Sequence, residues 1–209
     1  MISKLPMKAV AAAALTLTLA TGAHANNIVA DGSFVEGASV GGYQGYAGGS
    51  DLGAWKVTGD SVDLIGGYWQ KTPTGSFTID LAGTNAGGLS QGLHLDAGDY
   101  QVSFWLAGNP DGGSATKTVD VSVAGVSRSF SFLTTGHSES NMGFTLETLS
   151  FSLATGMDTT LSFSNAEADT PWGAAIGGVS LVAVPEPGSM ALLLAGLGLF
   201  GVMAKRRVR

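Results

Sequence analysis

Between Ser76 and Pro110 apolar residues recur at every second position, in three runs parted by turn-forming residues, and this period restricts the segment to sheet. Phe77, Ile79 and Leu81 alternate with Ser76, Thr78 and Asp80, which places the apolar side chains on one face of a half-buried strand. The GTNAGG segment turns the chain, LSQGLHL repeats the alternation less cleanly, and DAGD supplies a second tight turn. In YQVSFWL the residues Tyr100, Val102, Phe104 and Leu106 share one side, with Gln101, Ser103 and Trp105 on the other. Asn109-Pro110-Asp111-Gly112-Gly113 ends the segment.

The rest of the interior follows the same rule. Residues 41–53 read as a glycine- and tyrosine-rich loop holding Tyr43 and Tyr46, followed by the short strand AWKVT, in which Trp55 is expected to pack inward. A strand through Val62 and Leu64 leads to a loop bearing Tyr68 and Trp69. TVDVSVAG and VSRSFSF alternate and meet at Ala124-Gly125, as in a hairpin. In FTLETLSFSLA the apolar phase slips between Leu146 and Leu149, which predicts a bulge or a break. LSFSNAEAD and AAIGGVSLVAV bring the total to nine or ten strands, with no amphipathic helix, so the expectation is an all-β, two-sheet jelly-roll β-sandwich.

Both ends read as addresses. Lys4 and Lys8, an apolar run from Val10 to Ala20, and Ala23-His24-Ala25 have the order of a signal peptide over residues 1–25; the run is too short to span a membrane. The sandwich is assigned to residues 26–184. Residues 185–209 hold Pro185-Glu186-Pro187, an uncharged stretch to Ala204 at the short limit for a transmembrane helix, and then Lys205, Arg206, Arg207 and Arg209. Basic residues beside a span stay cytoplasmic, which places the preceding domain outside. Proline fixes φ and restricts the residue before it, so the triplet is an extended spacer.

A Pro-Glu-Pro triplet, a hydrophobic helix and an arginine-rich end, in that order, resemble the PEP-CTERM sorting signal of Gram-negative bacteria that make exopolysaccharide. The resemblance implies an exosortase as partner, cleavage near the triplet, and delivery to the cell surface or matrix. A permanent anchor is the simpler alternative, and needs only the helix and the charges.

Charge narrows the choice of partner. Six of the ten basic residues lie in the two addresses, leaving Lys56, Lys71, Lys117 and Arg128 against fifteen carboxylates between Asn26 and Val184, a net charge of −11. Such a surface repels phosphate backbones, so nucleic acid is excluded as a partner, whereas neutral sugars and cations are compatible. The chain has no cysteine, so an exported domain of this sequence is held by packing alone.

The opening DGSF, the phrase VDLIGGYW, the run SFTIDLAGTNAGGLSQ and the segment AGDYQVSFWLAGNP resemble the choice-of-anchor C domains of bacteria, which are similar to a plant cell-wall family of unknown biochemical function. The resemblance spans most of residues 27–182. It implies a galactose-binding-like jelly roll that associates with polysaccharide and has no known catalytic activity. It also implies a structural calcium between a carboxylate after the first Phe and one in the last strand. Here Glu36 remains, but the last strand reads Ile176-Gly177-Gly178-Val179; calcium needs six to eight oxygen ligands, so no cofactor is expected.

Candidates for chemistry are few. Gly88-Leu89-Ser90-Gln91-Gly92 has the spacing of a nucleophile elbow, which requires a helix after the serine, yet strands lie on both sides. His94 shares the strand of Ser90 and is roughly 13 Å along it. A glycosidase needs two carboxylates facing one cleft, and the sequence singles out no pair. Within residues 26–184 two separated histidines, His94 and His137, and no cysteine disfavour a transition-metal site.

Aromatic residues are the better lead, because the CH face of a sugar ring stacks on Trp or Tyr while its hydroxyls find amides and carboxylates. Tyr68, Trp69, Trp105 and Trp172 are the candidate sugar-binding residues, with core packing as the alternative for each. The expected function is a non-catalytic, carbohydrate-binding surface or matrix protein. A self-associating structural protein without a sugar site and a polysaccharide hydrolase remain as alternatives.

Overall fold

A computed structural model describes residues 26–36, 41–167 and 170–184. The signal peptide, the Pro185-Glu186-Pro187 triplet and the expected membrane helix lie outside the described residues, and no described helix is long and apolar enough to cross a membrane.

Among the described residues, twelve strands form two antiparallel six-stranded sheets. The first four are short: β1 (Tyr43–Ala47), β2 (Asp51–Leu52), β3 (Trp55–Gly59) and β4 (Ser61–Ile65). β5 (Thr78–Asp80), β6 (Gly87–Leu95) and β7 (Gly98–Gly108) follow, then β8 (Thr116–Val123) and β9 (Val126–Leu133). β10 (Thr145–Leu153), β11 (Met157–Asn165) and β12 (Ala174–Val184) complete the set. The first sheet has the order β1-β4-β5-β12-β7-β10 and the second β2-β3-β6-β11-β8-β9. Read from β5 onward, the eight strands interleave as 5-12-7-10 and 6-11-8-9, the two four-stranded sheets of a jelly roll. The expected fold class is therefore the observed one, with β1 to β4 extending the two sheets at one side.

The period-two pattern explains the core. Along β7, Tyr100, Val102, Phe104 and Leu106 are buried and Gln101, Ser103 and Trp105 half-buried. Phe104 lies 5.1 Å from Phe163 of β11 and 5.3 Å from Phe130 of β9, ring centroid to ring centroid, both edge-on. Trp55 is fully buried beside Phe34 and Phe163, as expected, and its indole N–H donates to the Asp31 carbonyl at 3.1 Å. Burying side chains of this size stabilises the fold by about 2–3 kcal/mol each.

Several expectations are corrected. The three runs between Ser76 and Pro110 are strands, but β5 and β7 belong to one sheet and β6 to the other, so the turns between them cross the sandwich. The glycine-rich stretch expected as a loop contains the edge strands β1 and β2, whose exposure hides them from an apolar-pattern reading. The slip between Leu146 and Leu149 is neither bulge nor break: β10 pairs with β7 in one register throughout, and Leu146 simply faces solvent. The irregularity lies instead in β12, where the register shifts between Gly177 and Ser180.

The glycines in that bulge have a steric cause. A Cβ on Gly177 would lie 2.6 Å from the Phe77 carbonyl oxygen and 2.6 Å from Thr72 Cγ2, and Gly178 has φ +59°. Residues 72–77 therefore pack directly on the backbone of β12, where only glycine leaves room. The Ala124-Gly125 hairpin forms as expected, with φ values of 52° and 78° that match a type I′ turn.

Candidate functional site

On the outer face of the first sheet, β4 and β5 set Asp63 directly opposite Asp80. Val62 and Leu64 point to the core, so Asp63 between them points outward, and pairing carries Asp80 to the same face. Asp80 is nevertheless buried, because the loops after β4, after β7 and before β12 close over it.

Those loops are tied to one another through polar groups. Asn109 Nδ2 donates to Asp80 Oδ2 at 2.6 Å, and the N–H groups of Ala82 and Gly173 donate to Oδ1 at 3.0 and 3.1 Å. Asn109 Oδ1 in turn accepts from the Asp111 N–H at 2.9 Å. Burial pushes the Asp80 carboxyl up to about 7, against the three hydrogen-bond donors, with the neighbouring charge of Asp63 adding to the rise. Burial also raises Asp63.

Lys117 of β8 is fully enclosed, and its Nζ donates to the carbonyls of Gly112 and Trp172 at 2.7 and 2.8 Å. Burial lowers its pKa, opposed by the charges of Glu167 and Asp80. This one ammonium fastens the loop after β7 to the segment bearing Trp172, and a Cβ on Gly112 would lie 2.7 Å from the indole Cε2. The Trp172 ring thus rests on glycine backbone and remains 38% exposed.

Two adjoining clefts result. The smaller, about 210 Å³, lies over the Asp63–Asp80 pair and is bounded by Tyr43, Asn109 and Trp172. The larger, about 630 Å³, lies beside it under Gln70, His137 and Glu139. Tyr68, Trp69 and Asp111 line both. Tyr68 donates to Asp111 at 3.2 Å, and its phenol is pushed up to about 12, first by a hydrogen bond to Glu139 and then by the charge of Asp111. Loop 134–143 is fixed against this wall by the Gln70 N–H to the Glu139 carbonyl, 2.7 Å, and the Met142 N–H to Gln70 Oε1, 2.9 Å.

Of the residues read from sequence, Tyr68, Trp69 and Trp172 come together at these clefts. Trp69 forms a wall and is only 5% exposed, with no acceptor for its indole N–H among the described residues. Tyr68 stands between Trp69 and Tyr43, with ring centroids 6.3 and 5.9 Å away. Trp105 lies apart, on the outer face of β7 against Gly178, and lines neither cleft. The sequence reading did not single out Asp63, Asp80, Asn109 or Glu139. The repeated Asp of VDLI and TIDL was the available signal, since both lie at outward positions of neighbouring strands.

The remaining candidates occupy other surroundings. Ser90 is in mid-strand on β6, its Oγ 3.5 Å from the Lys56 carbonyl, and His94 binds Asp158 at 2.7 Å. Where the resemblance implies calcium, Asp31 accepts from the N–H groups of Val35 and Glu36 at 2.8 and 3.1 Å, and Gly177 and Gly178 carry no carboxylate. Among the described residues no group of three or more His, Cys, Asp or Glu is arranged to hold a metal.

The end of the sandwich meets a recognisable segment. Residues 183–207 match the PEP-CTERM protein-sorting motif. This chain carries that sorting signal. The signal indicates export and cell-surface sorting in bacteria, with processing by a sorting enzyme. No curated protein matches the chain. Among solved structures, TmCBM61 in complex with β-1,4-galactotriose aligns at 17% identity over 76% of this chain and 99% of its own, with a TM-score of 0.40. A family 35 carbohydrate-binding module from Clostridium thermocellum aligns at 12% identity, 68% and 99% coverage and a TM-score of 0.44. CBM35 from Paenibacillus barcinonensis gives 15%, 68% and 99%, and 0.42.

Proposed function

We propose that this is an exported, surface-sorted protein whose β-sandwich binds carbohydrate without turning it over, at the cleft above Asp63 and Asp80. The observation that carries the reading is the meeting of exposed Tyr43, Tyr68 and Trp172 with Asn109, Asp111 and Asp63 around one depression. Aromatic faces stack on sugar CH groups, and a few fixed polar groups orient the hydroxyls. The hydrogen bonds of Asp80 support binding over catalysis. Both its oxygens already accept from Asn109, Ala82 and Gly173, whereas a general acid must present its proton to substrate. Exposure of the exopolysaccharide matrix to this site, after exosortase cleavage in a Gram-negative cell, is the setting we propose.

The test is a glycan array probed with the full-length chain in a sugar-free detergent. Binding that is lost in Trp172→Ala and kept in Trp105→Ala, with unchanged far-UV dichroism, is the expected result. A blank array, or binding indifferent to Trp172, overturns the site.

Self-association is a second reading. β10 is an edge strand of nine residues with Leu146 exposed on it, and such an edge can pair with another chain. Concentration-dependent assembly in sedimentation velocity, abolished by Leu146→Lys, would favour it.

A further inference from the structure

We infer that the glycan taken by this cleft is cationic, a sugar bearing a free amino group, a specificity that rests on the carbohydrate reading above. The lining of the two clefts contains four carboxyl groups and no lysine or arginine; Asp80 is buried and keeps its proton, so the negative charge is carried by Asp63, Asp111 and Glu139. The nearby ammonium of Lys117 is committed to the Gly112 and Trp172 carbonyls. Those carbonyls are neutral and leave the ammonium its charge, but three carboxylates against one ammonium still make the site negative, so it repels uronic acids while attracting a cation.

The aromatic groups act in the same direction. Tyr43, Tyr68 and Trp69 stand in sequence with centroids 5.9 and 6.3 Å apart, and Trp172 bounds the smaller cleft with them. Ring faces carry negative quadrupole density, so an ammonium surrounded by several of them is attracted by each. Carboxylates beside aromatic faces make a better site for an ammonium than for a hydroxyl, which gains nothing from the quadrupole.

An independent observation points to an oxygen on the same ligand. Trp69, 5% exposed and lining both clefts, has an indole N–H with no acceptor among the described residues. A buried donor left unpaired costs about 1–3 kcal/mol, and a turn of the enclosed indole toward the cleft lets a ligand acceptor relieve that cost. A 2-amino sugar supplies both groups on adjacent ring carbons: an ammonium for the carboxylates and rings, and a hydroxyl oxygen for the indole.

Calorimetric titration of the full-length chain in sugar-free detergent at pH 6 decides the matter, using hexamers of glucosamine, N-acetylglucosamine, glucose and galacturonate. We expect the glucosamine hexamer to bind roughly tenfold more tightly than its acetylated counterpart. That advantage should shrink in 0.5 M salt, about the range in which screening acts over a few ångströms, and in Asp111→Asn and Glu139→Gln. Galacturonate should not bind. If the neutral hexamers bind as tightly as glucosamine, the charge inference is wrong while the carbohydrate site stands. If none of the four binds, both fail.

Discussion

Asp63 and Asp80 are directly opposed across β4 and β5, two carboxyl groups on one face of a sheet, and only one of them is sealed from water. Like charges at opposed positions destabilise a strand pair. The fold holds them by letting Asp80 keep its proton to higher pH and by surrounding it with the N–H groups of Asn109, Ala82 and Gly173.

A pH dependence follows. The Asp80 carboxyl sits at about 7 in the folded chain and near its ordinary 3.8 when unfolded. Between these values the folded state holds the extra proton, so this group favours folding at low pH. That contribution is lost as pH rises through about 7, with a slope of roughly 1.4 kcal/mol per pH unit at most. Thermal melts from pH 4 to 8 should show wild type losing stability relative to Asp80→Asn. A constant difference between the two across that range would mean that Asp80 is ionised throughout.

Strand content and sheet layering were readable because Val, Phe and Leu at period two leave little freedom, as in β7 and β8. The site was not readable, for reasons that can be named. Asp80 follows the rule for a solvent-facing strand residue and is buried only because loops from three distant parts of the sequence cover it. Lys117 stands in phase with Val119, Val121 and Val123, so the period-two rule turns it inward, while its charge argues for water, and the pattern alone does not say which prevails. The role of Lys117 depends on two carbonyls, one of them 55 residues away, and carbonyls have no sequence signature. Gly177 and Gly178 looked like lost ligand positions, and their cause is a neighbouring loop that no local pattern reveals.

The glycine contact gives a second prediction. Gly177→Ala places a methyl group 2.6 Å from the Phe77 carbonyl oxygen and should cost about 2–3 kcal/mol. Gly125→Ala meets nothing within 4 Å and carries only the strain of φ +78°, so about 1 kcal/mol is expected. Urea midpoints compare the two directly. Equal losses would show that residues 72–77 do not press on β12.

Processing is the third. Glu186 lies within the matched sorting motif but outside the apolar stretch, so Glu186→Ala should leave insertion into the membrane unchanged. Recognition of the triplet predicts that the full-length chain accumulates in the membrane fraction of the variant, while wild type is shortened and leaves it. Identical shortening of both chains in immunoblots would separate cleavage from the triplet.

The strand that borders the cleft is also the one that hands the chain to its sorting signal. β12 passes Asp80 at Ala175 and runs on to Val184, where the motif has already begun. At the rise of an extended strand this is roughly 30 Å of travel in one direction. A pull applied beyond Val184 therefore enters β12 at the end opposite the cleft, and on the proposed reading a glycan in the cleft and the sorting signal load opposite ends of one strand.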